Sequence, residues 1–222
     1  MELSETRLFR GMTKEEISSL LACLAAREKR YRKGETILPE GKPVRQMGLV
    51  LAGRAILSSS DIWGNNSLLG SAAPGAVFAE AYACSPGEPL QIAVSAAEDT
   101  TVLFLDLQRV LSPCQAACGC HTALLRNLLA VSAQRSLQLS RRILHTRAKT
   151  IRGRLMSYFS ECVRAAGGPA FDVTYSRQQL ADYLGVDRSA LSGELSRMQR
   201  DGLIRYHRNH FVVSRPFRDE DV

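Results

Sequence analysis

Residues 176–213 read SRQQLADYLGVDRSALSGELSRMQRDGLIRYHRNHFVV, and this stretch decides the fold. Ser176, with Gln179 three residues on, has the form of a capping box. Leu180, Tyr183 and Leu184 give the helix that follows one apolar face, and Gly185 offers the left-handed backbone that a sharp turn needs. Val186 fills the turn and Asp187 caps a second helix that starts at Arg188. In that helix Leu191, Leu195 and Met198 fall at i, i+4 and i+7, a stripe that packs inward. Asp201-Gly202 closes it, Leu203-Ile204 opens a strand, Arg208-Asn209 marks a hairpin tip, and Phe211-Val212-Val213 returns. The pattern predicts a winged helix-turn-helix whose second helix is of the kind that enters a DNA major groove.

Two short helices joined at a glycine also occur in proteins that never touch nucleic acid, and charge separates the two readings. Between Arg147 and Arg218 stand thirteen basic and six acidic residues, and twelve of the thirteen are arginine. Arginine suits bidentate contact with phosphate and guanine edges, which a structural hairpin has no use for. The expected DNA contacts are Arg188, Ser189, Ser192 and Gly193 on the outward face of the second helix, with Arg197 a turn further on. Ser176 and Arg177 at the start of the first helix and Arg208 at the wing tip complete the set. His207 and His210 flank that tip and suit phosphate better than metal, while His145 ends a helix as a capping cation.

Upstream, residues 3–30 read as one or two short helices, the second capped by Thr13 with Ile17, Leu20, Leu21 and Leu24 as its apolar face. From Tyr31 the texture changes. Gly41, Gly53, Gly64 and Gly75 recur at near-regular intervals between short apolar pieces such as Gly48–Leu51, Ala55–Leu57 and Val77–Phe78. Many short strands with evenly spaced turns predict an antiparallel jelly roll, ending with Ile92–Ala96 and Thr101–Asp106. Ser112-Pro113 then has the form of a helix start. The helix that follows carries Leu125, Leu128, Ser132, Ser136, Leu139 and Ile143 at 3–4 spacing, the pattern of a dimer seam, although packing on the roll would produce it too. Thr146 is read as the cap of a further helix over Arg147–Ala166, which Gly167-Gly168-Pro169 breaks. The expected class is α+β: an N-terminal antiparallel β-roll over 1–111, a central dimerisation helix over 112–145 and a winged helix-turn-helix over 146–222.

The chain has 222 residues and a net charge of +7, enough for two modest cores and suited to a polyanionic partner. No apolar run has the length of a membrane span, and MELSETRLFRGM lacks the basic start and hydrophobic stretch of a secretory signal. Six cysteines in a chain this long do not form the pattern of a secreted disulfide scaffold, so a reducing cytoplasm is expected. No Ser-His-Asp spacing, phosphate loop or paired acid in an apolar setting points to an enzyme. The competing class is a small-molecule or metal-binding protein whose helical hairpin does not bind DNA.

A small N-terminal roll, a long central helix and a C-terminal winged helix-turn-helix, over essentially the whole chain, resemble the Crp/Fnr family of bacterial transcription regulators. RQQLADYLGVDRSALSGELSRMQRDGLI is similar to that family's DNA-binding signature, and PGAVFAEAYA to its glycine-glutamate turn before a short helix. The resemblance implies homodimers on palindromic promoter sites in contact with RNA polymerase. It puts Arg188, Ser189, Ser192 and Gly193 at the base-reading and phosphate-contacting positions, with glycine at 193 where family members usually carry arginine. A bidentate guanine contact is worth about 1–3 kcal/mol of discrimination, so its loss should relax or change one base preference unless Arg197 or Arg188 replaces it. Arg188 is the strongest candidate for a base contact.

The effector stays open at this stage. The family's cAMP binders hold the ribose with a glutamate, matched by Glu80, and the cyclic phosphate with an arginine-serine pair. Here Leu90 and Gln91 stand in that pair's place, which argues against cAMP, because a phosphodiester buried without a cation loses its main charge-assisted bonds. Thiols offer a second reading. Cys114, Cys118 and His121 share one helical face, Cys120 points elsewhere, and Cys84 follows the roll's turn helix, so an iron–sulfur cluster or a zinc ion is conceivable. The family's cluster-bearing sensors place their ligands nearer the N-terminus, and the spacing here matches no familiar cluster. Cysteines packing as small hydrophobes, or a roll that takes an apolar small molecule, remain alternatives.

Overall fold

The computed structural model describes residues 1–60, 63, 66–85, 87–111 and 119–214. They form two compact units, Met1–Gln134 and Arg135–Val222. In the first, a short 3-10 turn over Leu3–Glu5 leads to α1 (Lys14–Cys23), held at its start by a complete Thr13–Glu16 capping box. The strands β1 (Arg27–Tyr31), β2 (Thr36–Leu38), β3 (Gln46–Ala52), β4 (Ala55–Ser60), β5 (Asn66–Ala72) and β6 (Val77–Phe78) follow. After α2 (Glu80–Cys84) come β7 (Ala93–Ala96), β8 (Thr100–Asp106) and α3 (Leu107–Leu111). The strands pair antiparallel into two four-stranded sheets, β1-β8-β3-β6 and β2-β7-β4-β5. The expectation of helix up to residue 30 is corrected: Arg27–Tyr31 is a strand, paired from Arg27–Phe104 to Tyr31–Thr100. Its charged residues occupy a mostly exposed edge, which hides the period-two signal.

Alternation along the strands builds two cores. Val50, Val102 and Phe104 point between the sheets, where they meet Ala55, Phe78, Leu90 and Val94. Their neighbours Met47, Leu49, Leu103 and Leu105 point the other way, against α1 and the first turns of the long helix. Gly48 lies directly under the Phe78 ring, whose Cζ would stand 2.1 Å from any Cβ placed there. That site admits no side chain.

The long helix α4 is described over Gly119–Thr146. The Ser112-Pro113 start and Cys114 and Cys118 lie outside the described residues. Leu124 and Leu128 enter the roll core, and the Asn127 side chain donates to the carbonyls of Leu8 and Arg10 at 3.0 and 2.9 Å. Leu128 therefore belongs to the roll and not to a dimer seam, while Leu129, Leu139 and Ile143 are exposed.

The second unit contains α5 (Ile151–Ala166), β9 (Ala170–Asp172), α6 (Arg177–Leu184), α7 (Arg188–Arg200), β10 (Ile204–His207) and β11 (His210–Val213). The expected start of α5 at Arg147 is corrected. Thr146 is the last residue of α4 and its hydroxyl donates back to the Arg142 carbonyl, whereas the Thr150 hydroxyl accepts from Gly153 N and caps α5. Phe171 and Phe211 stack at the centre with Phe159 tilted against both, joined by Leu180, Leu184, Leu191, Leu195 and Met198. The strands β10, β11 and β9 form a small antiparallel sheet behind the helices. Among the described residues no helix is long and apolar enough to cross a membrane.

Candidate DNA-reading surface and roll pocket

The two helices of the motif are fixed at both ends by bonds that the sequence foreshadows. Ser176 and Gln179 form the reciprocal capping box of α6, and Gly185 ends that helix in the left-handed region at φ 64°. Asp187 accepts from the backbone N–H groups of Ser189 and Ala190 at the start of α7. Those bonds, led by the Ser189 hydroxyl, hold the Asp187 carboxyl below its ordinary range. Arg154 of α5 reaches under the turn and donates to the carbonyls of Leu184 and Gly185 at 2.9 and 3.0 Å. The turn is thereby locked to the helix behind it.

On α7, Leu191, Leu195 and Met198 are fully buried, and Arg188, Ser189, Gly193, Ser196 and Arg197 are exposed. Among the described residues the Arg188 guanidinium has no carboxylate partner. Arg197 is different. Its Nε donates to Glu194 at 2.8 Å, and the other oxygen of that carboxylate accepts from Arg152 Nε at 2.6 Å. Arg152 also holds Asp201 at 2.6 Å. Glu194 is 7 % exposed; burial works against its charged form, but the two guanidiniums outweigh that and leave the carboxyl below its ordinary range. Sequence spacing missed this network, since Glu194 sits among inward-facing positions and Arg152 lies far off in the chain.

Arg177 is also placed differently from the expectation of an open contact. Its guanidinium lies over the rings of Tyr206 and Phe211 at 5.2 and 5.0 Å, and Nη2 donates to the Arg208 carbonyl at 2.7 Å. Burial lowers its pKa, and Nη1 is buried with no hydrogen-bond partner among the described residues. This arginine braces the wing against α6. The wing tip itself is exposed, with Arg208 at φ 53°, and His210 is bonded to Asp172 on the adjacent strand at 2.9 Å.

Behind the motif, His145 near the end of α4 is 4 % exposed. Its Nδ1 meets the Tyr183 hydroxyl and its Nε2 the Glu161 carboxylate, each at 2.9 Å. Burial depresses its pKa; Glu161 works in the opposite direction, and Arg141 and Arg164 add to the depression. A neutral ring that donates from Nε2 and accepts at Nδ1 satisfies both partners. The expected capping cation is thus a buried neutral bridge.

In the roll, Glu80 opens α2 and is buried, following Ala79 at φ 59°. Leu90 is fully buried in the core between the sheets, and Gln91 is exposed, its amide donating to Glu88 at 3.4 Å. Cys84 is exposed, and burial followed by the nearby Glu80 charge pushes its thiol pKa up. Cys120, in the first turn of α4, packs against the roll core. His121 is buried and faces not Cys84 but Cys23, a residue the sequence reading left out.

Residues 28–116 match the cyclic nucleotide-binding domain family and residues 153–217 the Crp-like helix-turn-helix domain. The cyclic AMP receptor protein of Thermus thermophilus is 26% identical over 205 residues, covering 89% of this chain and 88% of that protein. The chain belongs to the Crp/Fnr family. The crystal structure of the Thermus thermophilus catabolite activator protein shares its fold at a TM-score of 0.52 and 24% identity, over 94% of this chain and 93% of that one. CprK in complex with OCPA reaches a TM-score of 0.64 at 15% identity, over 90% and 92% of the two chains. As a Crp/Fnr member the protein is a DNA-binding transcription regulator that responds to an effector. At Gly193 the reading helix leaves open space where a side chain would project, and Leu90 is fully buried.

Proposed function

We propose that two copies of this regulator pair through α4 and read the halves of a palindromic promoter site with their α7 helices, with RNA polymerase as the further partner. The protein then acts in the cytoplasm by binding and not by catalysis. The observation that carries this reading is the face of α7, where Arg188 is exposed and, among the described residues, has no carboxylate partner, while Arg197 is tied to Glu194. Arg188 is therefore the base reader, and Ser189 and Ser192 contact the backbone. Pairing through α4 is supported by Leu129, Leu139 and Ile143, which are 70%, 61% and 65% exposed. So much apolar surface on one helix is favourable to cover. In a gel-shift assay with its promoter fragment, Arg188→Ala should lose the specific complex and keep salt-sensitive non-specific binding. Unchanged specificity would remove Arg188 from this role, and no complex with any DNA would return the chain to the class of small-molecule binders.

For the roll we propose an apolar effector in place of a cyclic nucleotide. Leu90 and Gln91 occupy the positions where the family's cAMP binders carry the arginine-serine pair, and Leu90 is sealed in the core. Titration calorimetry with cAMP should give no heat of binding. Saturable binding that tightens the DNA complex would contradict this.

A further inference from the structure

Glu194 stands on α7 at the border between the buried stripe of Leu191, Leu195 and Met198 and the exposed face of Ser189, Gly193 and Ser196. Its two carboxylate oxygens serve different arginines. Oε1 accepts from Arg152 Nε of α5 at 2.6 Å, and the same guanidinium reaches Asp201, just past α7, through Nη2 at 2.6 Å. Oε2 accepts from Arg197 Nε at 2.8 Å and stands 2.6 Å from Arg197 Nη2. Both of those contacts fall on one edge of the Arg197 guanidinium. A guanidinium carries five N–H donors in one plane, so Nη1 and the remaining N–H of Nη2 form a second fork that this pairing leaves unused. The Arg197 side chain is 55% exposed, and among the described residues no second carboxylate meets it.

We propose that Glu194 is a positioning residue for DNA binding: it turns the second fork of Arg197 outward onto one backbone phosphate of each half-site, with Arg152 holding the carboxylate from behind. The proposal deepens the reading of α7 as the DNA-reading helix and rests on it. Place and shape make phosphate the ligand. Residues at the start of a reading helix meet base edges. Arg197 is nine residues beyond Arg188, about 13 Å further along the axis, and lies on the flank of the exposed face. A flank faces the groove wall, which is sugar and phosphate, and a planar fork fits two phosphate oxygens. Gly193, one turn earlier with open space beside it, leaves room for the strand to approach. The two guanidiniums outweigh the burial of Glu194 and keep it ionised at neutral pH, so the arrangement stands before DNA arrives. Held this way, Arg197 has little side-chain freedom left to lose on binding.

The experiment uses the full chain with a duplex selected by the wild-type protein and a scrambled duplex, titrated by fluorescence anisotropy at several salt concentrations. Arg197→Ala should weaken both duplexes by the same factor, about tenfold. It should also lower the slope of log affinity against log salt by about 0.9 for each bound copy. A loss confined to the selected duplex would make Arg197 a base reader and overturn the proposal, as would an unchanged slope. Glu194→Gln removes a negative charge from a DNA-binding unit, so charge alone predicts tighter binding. The proposal predicts the opposite: binding roughly three- to tenfold weaker, the cost of ordering a freed arginine side chain, and no further loss in the Arg197→Ala background. Tighter binding, or an equal loss in both backgrounds, would overturn it. Thermal melting checks the fold of each variant. If Glu194→Gln melts far below wild type, Arg197→Lys carries the same test, since it keeps the charge and loses the fork. It should bind several-fold weaker at an unchanged salt slope, and wild-type affinity would overturn the proposal. A wild-type protein that selects no duplex would sink the DNA-reading account itself, so the two failures are separately visible.

Discussion

Gly193 sits in the middle of the reading helix with open space where a Cβ would go. Glycine in an exposed helix interior costs about 1 kcal/mol relative to alanine, so Gly193→Ala should raise the melting temperature by several degrees. An unchanged or lower midpoint would mean that the backbone there needs glycine. Gly193→Arg should restore a guanine preference at one base pair of each half-site, read by binding-site selection, and an unchanged preference would place residue 193 away from the bases. The caps at Ser176, Gln179 and Asp187 were legible because a cap is a local matter of a few residues. Arg177 and Arg197 were not. What an arginine is tied to depends on what folds near it: the wing from Tyr206 to Phe211 covers Arg177, and the buried Glu194 ties down Arg197 although that side chain stays exposed.

Among the elements, α4 carries the most consequential prediction. Leu139→Glu with Ile143→Glu should turn a dimer into a monomer by light scattering and weaken promoter binding, whereas a dimer that persists would move the interface elsewhere. Spacing alone put Leu128 in the seam, because 3–4 periodicity counts the residues that this helix packs on the roll together with any others. The start of α5 was misplaced for a related reason: Thr146 and Thr150 are both good caps, and only the bonds distinguish them. At the junction of α4, α5 and α6, His145 has a pKa held by burial below its ordinary 6.5. The unfolded chain then binds this proton more readily than the folded one. Its contribution to stability is complete above about pH 6.5 and is lost as the pH falls through the depressed folded value. The wild type should lose stability in that window, and His145→Gln should show a smaller loss. Identical pH profiles would refute the assignment.

For the whole molecule, the roll and the winged motif were legible because each repeats a simple period, two along the strands and 3.6 along the helices. Contacts that join distant segments were not, and Cys23 beside His121 is the clearest case. Net charge also acts at this scale. With +7 overall and an arginine-rich C-terminal unit, DNA affinity should fall linearly with log salt, and a flat salt response would deny a phosphate-contacting surface. The account rests most heavily on sequence-specific reading by a two-fold pair of α7 helices. Selection of bound sequences from a random duplex library, by the purified full-length protein, tests that directly. The expected result is a palindrome with half-sites about one helical turn, roughly 10–10.5 base pairs, apart. Recovery of a single unpaired half-site, or of no enriched sequence at all, would contradict it.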